Sequence, residues 1–178
     1  TCTAGPGKVS MKESFDKKNW INKLTHIIMK EKYNEEYITY RFEPNGSDER
    51  QYSSPGIRIN TPSIHKDKYY EYDEYHTSAD NLTFISSESL LETLDTYKRW
   101  FHEIENYCIP KRVLPFCEYQ LGKRNLYPTT GGAYNQKLNP NELVKDKIYN
   151  NDQIVNALEW IMHLSDGNHS NLDISEIS

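Results

Sequence analysis

From Ser86 to about Tyr107 the apolar residues return at helical intervals, and Leu90, Leu91, Leu94, Tyr97, Phe101 and Ile104 make one stripe. Ser86 and Ser87 can cap the start of this helix, and Glu88 stands in its first turn, where the helix dipole favours negative charge. Pro110 ends the pattern. Trp100 flanks the stripe, and His102 lies away from it. A helix of this length with one apolar face must be laid against a second layer of structure, so the rest of the chain has to supply that layer.

The preceding residues supply strands and a second helix. Trp20, Ile21, Leu24, Ile27 and Ile28 recur on one face of a helix over Asn19 to Lys32, with His26 off that face as a solvated residue. Tyr37 to Phe42 alternates and is rich in β-formers, and Ile57 to Asn60 reads as another strand. Val9 to Phe15 is a shorter extended piece, and Thr1 to Ala4 closes a strand before the turn of Gly5-Pro6-Gly7. Pro44-Asn45-Gly46 leads into a short helix that Ser47 or Asp48 can cap, and Pro55-Gly56 breaks it. Residues 61 to 75 form an acidic, tyrosine-rich loop. Helices alternating with strands predict the α/β class.

The hydrophobic share is only 36% and mean hydropathy is −0.86. Fourteen tyrosines nevertheless provide rings that pack while their hydroxyls stay wet, so the chain reads as globular. A net charge of −5 with no basic stripe argues against nucleic acid as a partner. No apolar run has membrane-spanning length. Cys2, Cys108 and Cys117 show no paired zinc-finger spacing, and a reducing cytoplasm is the expected location. Thr1 in place of Met, and an apolar pattern cut short at Ser178, point to a fragment.

Beyond Pro110 an irregular connector runs through Cys117 to Pro128, then through the Gly/Asn/Pro-rich residues 129 to 141. Asn151 or Asp152 then caps a helix with Ile154, Val155, Leu158, Ile161 and Met162 on one face, closed by Gly167. Leu172, Ile174 and Ile177 begin another apolar pattern.

Two stretches place ionisable groups among turn formers: Gly46-Ser47-Asp48-Glu49-Arg50-Gln51-Tyr52 and Glu74-Tyr75-His76-Thr77-Ser78-Ala79-Asp80-Asn81. His76 has the chemistry of a metal ligand, a neutral imidazole nitrogen near neutral pH, and Asp80 is placed to orient such a ring. The plain alternative is an ordinary single histidine. Asp48 and Glu49 are adjacent, so on a helix they diverge, and at most one faces a given site. Their plain alternative is a capping Asp followed by a solvated Glu. No G-x-S-x-G elbow supports a serine hydrolase, and no local signature pairs Cys117 with His76.

These two stretches and Cys117-Glu118-Tyr119-Gln120-Leu121-Gly122-Lys123-Arg124-Asn125-Leu126-Tyr127-Pro128, in this order, resemble the bacterial aminopeptidase-like proteins of the DUF4910 group, which carry a C-terminal winged helix. The group is similar to the zinc aminopeptidases and glutaminyl cyclases. The resemblance implies part of a three-layer α/β sandwich around a mixed sheet over residues 1–109, a connector over 110–149, and the start of a winged helix over 150–178. It implies a zinc-dependent hydrolase acting on N-terminal peptide bonds or a related amino-bearing substrate, with one or two zinc ions whose other ligands lie upstream of Thr1.

In that reading His76 is a zinc ligand and Asp48 the acid–base residue beside it. Asp80, Glu49, Arg50, Tyr52 and Tyr75 surround the metal or the substrate. The partners implied are a peptide or amino-acid-derived substrate and the remainder of the domain, with a homo-oligomer allowed. One departure stands out: where a further carboxylate ligand is expected, the chain reads Ala4-Gly5-Pro6-Gly7. The alternative is therefore a non-catalytic binding or assembly protein with a degenerate metal site.

Overall fold

The computed structural model describes residues 2–117, 119–124 and 151–177. It divides into two compact units, Thr1–Asn106 and Tyr107–Ser178. In the first unit β1 (Ser10–Lys12) is the centre of a three-stranded sheet. It pairs in parallel with β2 (Ile38–Tyr40) and antiparallel with β3 (Ser63–His65). Helix α1 (Trp20–Tyr33) is the crossover between the two parallel strands, and Asn19 caps it by accepting from the Ile21 N–H. A short helix α2 (Glu49–Tyr52) and the long α3 (Ser87–Asn106) complete the unit. The mixed α/β class expected from the sequence is what the chain adopts, on a small sheet.

All three residues of β1 are buried, so its two faces carry different cores. Val9 and Met11 share one face with Ile64 of β3, and Met29 of α1 packs there with Tyr33, Tyr37, Tyr97 and Trp100. The other face presents Ser10, Lys12 and His65, also buried. The sheet is apolar toward its helices and polar on its far side, and the far side positions the site.

Four expectations are corrected. Helix α3 does not bury its leucine stripe: Leu90, Leu91, Leu94 and Phe101 are exposed, whereas Ser89, Thr93 and Thr96 are buried. Hydrogen bonds dictate that choice. Thr93 donates to the Thr3 carbonyl, Thr96 shares a bond with the Tyr33 hydroxyl, and Trp100 Nε1 donates to Thr25 Oγ1 at 2.9 Å. Ile57 to Asn60 is not a strand. Arg58 has a positive φ of 54°, which breaks extension, and both isoleucines are more than half exposed. Residues 61–75, expected as loop, contain β3. His26 is half-buried between Glu13 and Tyr37 rather than solvated.

In the second unit a 3₁₀ turn (Leu121–Arg124) is followed by α4 (Asn151–Leu164) and α5 (Asn171–Ile177). Helix α4 ends at Leu164, three residues before Gly167, whose N–H donates to the Pro110 carbonyl. Ser170 and Asp173 bond reciprocally at the start of α5 as a capping box. The linker expected over 129–141, the Asn125–Pro128 end of the third motif, and the capping roles of Asn151 and Asp152 fall outside what the structure describes. No helix among the described residues is long and apolar enough to cross a membrane.

Candidate functional site

The polar face of the sheet is built on Lys12. Its ammonium, 1% exposed, donates to Glu49 Oε1 at 3.0 Å, to the Tyr69 hydroxyl at 2.7 Å, and to the carbonyls of Glu43 and Asn45. Tyr69 donates in turn to Glu49 Oε1 at 2.5 Å. A buried charge costs several kcal/mol unless it is paired and its remaining hydrogens are satisfied, and here all these conditions are met. Desolvation raises the Glu49 carboxyl, but the bonds from Tyr69 and Lys12 outweigh it and hold it below the ordinary carboxylate value. Burial and the neighbouring carboxylate push the Tyr69 phenol well up, so it stays a hydroxyl.

This network fixes the loop that carries the first motif. Gly46 has φ of 112°, and a Cβ there would lie 2.3 Å from the Tyr69 hydroxyl and 2.5 Å from Glu49 Oε1. Only glycine fits both the backbone conformation and the space. The Ser47 N–H then reaches Glu49 Oε1 at 3.3 Å. His65 lies against Tyr69 edge to face, is 1% exposed, and has both ring nitrogens without a partner. Burial depresses its pKa to about 4, so it is a neutral core histidine.

Next to this layer is a cavity of about 440 Å³ in the first unit. Ser47 from the first motif and Tyr75, His76 and Asp80 from the second all line it. Tyr69, Tyr72, Tyr75 and Phe84 give it an aromatic wall: Tyr72 contacts Tyr75 and stacks on Phe84, Tyr75 stacks on His76 at 3.9 Å, and Tyr70, outside the lining, packs against Tyr69 and Tyr75. On the remaining side are Cys2, whose thiol accepts from the Tyr72 hydroxyl at 3.4 Å, and Asp67. A second cavity, in the second unit, carries none of the predicted residues.

The predicted residues thus separate. His76 is exposed at the cavity, in a left-handed backbone conformation of φ 59°, with Tyr75 and Asp80 beside it. Asp48 precedes α2 and is exposed, and its side chain makes no capping bond. Glu49 is buried behind the cavity, the reverse of a capping Asp and a solvated Glu. Arg50 and Tyr52 are exposed and do not line the cavity. The sequence gives no site role to Lys12, His65, Asp67 or Tyr69. The signal available for Lys12 was a lone lysine in an otherwise buried extended piece.

Residues 1–107 match the family described as a domain of unknown function (DUF4910), and residues 108–178 match a winged helix-turn-helix family. The chain belongs to the DUF4910 family. A Clostridium acetobutylicum (strain ATCC 824) protein, provisionally named for polysaccharide biosynthesis and with an aminopeptidase-like domain, is 39% identical over 140 residues. That alignment covers 79% of this chain and 29% of the relative. A crystal structure from Clostridium acetobutylicum, provisionally described as a peptidase, superposes with a TM-score of 0.70 at 32% identity. It covers 99% of this chain and 35% of that one, so this DUF4910 chain spans about a third of the length of the relatives it matches. The winged-helix match takes in the connector as well as α4 and α5.

Zinc in proteins takes three or four nitrogen, sulfur or oxygen ligands at one point. Among the described residues no three His, Cys, Asp or Glu side chains converge in that way. His76 and Asp80 are donors of the right type, but these residues do not by themselves make a metal centre, and no chemical step is assigned to one.

Proposed function

We propose that this chain carries part of an aminopeptidase-like hydrolytic site, and that the 440 Å³ cavity receives a peptide or amino-acid-derived substrate. The observation that carries the reading is convergence. Ser47 of one motif and Tyr75, His76 and Asp80 of the other, far apart in sequence, line a single cavity. The peptidase-like names of the relatives support the reaction class, and the polysaccharide-biosynthesis name leaves room for an amino-bearing substrate other than a peptide.

In this proposal His76 supplies one ligand to zinc, and the other ligands lie outside the described residues. The three strands belong to the larger mixed sheet of a three-layer sandwich, and the protein works in the cytoplasm. Asp48, exposed beside Glu49 and outside the cavity lining, is the acid–base group nearest in sequence to Ser47 and exchanges protons with solvent at the margin of the site. Arg50 and Tyr52 stand outside the cavity and would meet only a substrate that extends beyond it. Tyr75, stacked on the His76 ring, restricts its orientation. The rival reading, a binding or assembly protein with a degenerate site, is favoured by the missing carboxylate at Ala4-Gly5-Pro6-Gly7.

Zinc affinity tests the proposal. His76→Ala is expected to weaken zinc binding by at least about tenfold, as loss of a direct ligand should, with the far-UV circular dichroism unchanged. Equal zinc affinity in the two proteins would contradict the role of His76.

A further inference from the structure

Asp67 stands out among the groups facing the cavity. It sits between two lysines in sequence, yet neither neutralises it: Lys66 pairs with Glu92 at 2.6 Å and Lys68 with Glu71 at 3.1 Å. The hydrogen bond on its carboxylate comes from the Gly7 N–H to Oδ2 at 3.0 Å. The loop Gly5-Pro6-Gly7 is wrapped around the same carboxylate so closely that a Cβ on Gly5 would lie 2.0 Å from Oδ2. A Cβ on Gly7 would lie 1.6 Å from Oδ1. Two glycines therefore hold one half-buried carboxylate in a fixed place at the cavity wall, where the Gly7 N–H takes only part of its acceptor capacity.

The surroundings define that ligand. Asp80 adds a second carboxylate, the walls are aromatic faces with negative quadrupole, and no lysine or arginine is among the described residues lining the cavity. An anion is disfavoured on every side. At Asp67 a divalent ion would need further ligands converging on the same point, which the described residues do not provide, and the zinc of the proposed function is held instead from His76 with ligands outside them. A primary ammonium group needs less: one fixed carboxylate for a charge-assisted hydrogen bond, hydroxyl acceptors such as Ser47, and ring faces.

We propose that Asp67 is a specificity-determining residue of this site, and that its carboxylate pairs with a primary ammonium group on the substrate. This rests on reading the cavity as the substrate site.

The test uses leucinamide as probe, its uncharged des-amino analogue 4-methylpentanamide as control, and zinc alone as a third arm. Binding is followed by calorimetry at a pH below the α-amino pKa of about 7.8. Leucinamide should bind and the des-amino analogue should not. Asp67→Asn, which keeps the shape of the side chain, should lower leucinamide affinity by at least about tenfold, and Asp80→Asn should lower it less. Equal binding of the two amides, or an unchanged affinity in Asp67→Asn of native circular dichroism, overturns the assignment. So does a result in which Asp67→Asn loses zinc but not leucinamide. Zinc lost in His76→Ala with leucinamide unaffected by Asp67→Asn leaves the metal proposal standing and sinks this one. The opposite pattern does the reverse.

Discussion

Buried ionisable side chains control how the first unit responds to pH. The imidazole of His65 has a pKa of about 4 in the fold against 6.5 unfolded, because it lies in a dry environment. Between those values the unfolded chain holds a proton that the folded chain does not. Stability is therefore complete above about pH 6.5 and declines as pH falls toward 4, by about 3 kcal/mol for this one group. Glu49 acts lower still, since its contribution persists above its ordinary value of 4.5 and is lost as pH falls through its depressed folded pKa. Urea denaturation as a function of pH checks this: His65→Leu should flatten the upper part of the decline, and an unchanged slope would contradict the assignment. Lys12→Met leaves the Glu49 carboxylate buried without its cation and should cost about 3 kcal/mol in the same measurement at neutral pH. Gly46→Ala, forced against Tyr69 and Glu49 at positive φ, should also destabilise, by about 2 kcal/mol or more.

At the level of elements, α3 separates what pattern can show from what it cannot. Its existence and its start at Ser86, whose Oγ accepts from the Ser89 N–H, were legible from periodicity and capping chemistry. Its buried face was not. Hydrophobic periodicity assumes that apolar side chains face the core, whereas this helix docks through Ser89, Thr93 and Thr96, and the hydroxyls of Thr93 and Thr96 find partners across the interface. Two substitutions decide between the stripes. Leu94→Ser should change stability by no more than about 0.5 kcal/mol, while Thr96→Ala should cost about 1 kcal/mol by stranding the Tyr33 hydroxyl. Strand β3 escaped because only Ile64 of its three residues is apolar, and Ile57 to Asn60 had the composition of a strand but no neighbour to pair with. The site divides in the same way. His76, Tyr75, Asp80 and the loop of Ser47 were visible as local motifs, because turn formers and ionisable groups stand side by side in sequence. Asp67 looked like one more charge in a charged loop, and the Lys12–Glu49–Tyr69 network joins residues that no local pattern connects.

For the whole molecule, the sequence carries a DUF4910 match followed by a winged helix-turn-helix match, and the structure divides next to the same boundary. Winged helices often bind DNA, but that requires a basic surface to neutralise phosphates, and this chain has a net charge of −5. A labelled duplex titrated at low salt should therefore show no saturable binding, and a salt-dependent isotherm would overturn that expectation. The central claim concerns the first unit: two separated motifs converge on one cavity, and we propose that His76 there is a zinc ligand. Anomalous diffraction at the zinc edge, from crystals of the full-length protein grown with zinc, tests it most directly. The account predicts a peak about 2.0–2.1 Å from an imidazole nitrogen of His76. A zinc site elsewhere, with His76 uncoordinated, would contradict it.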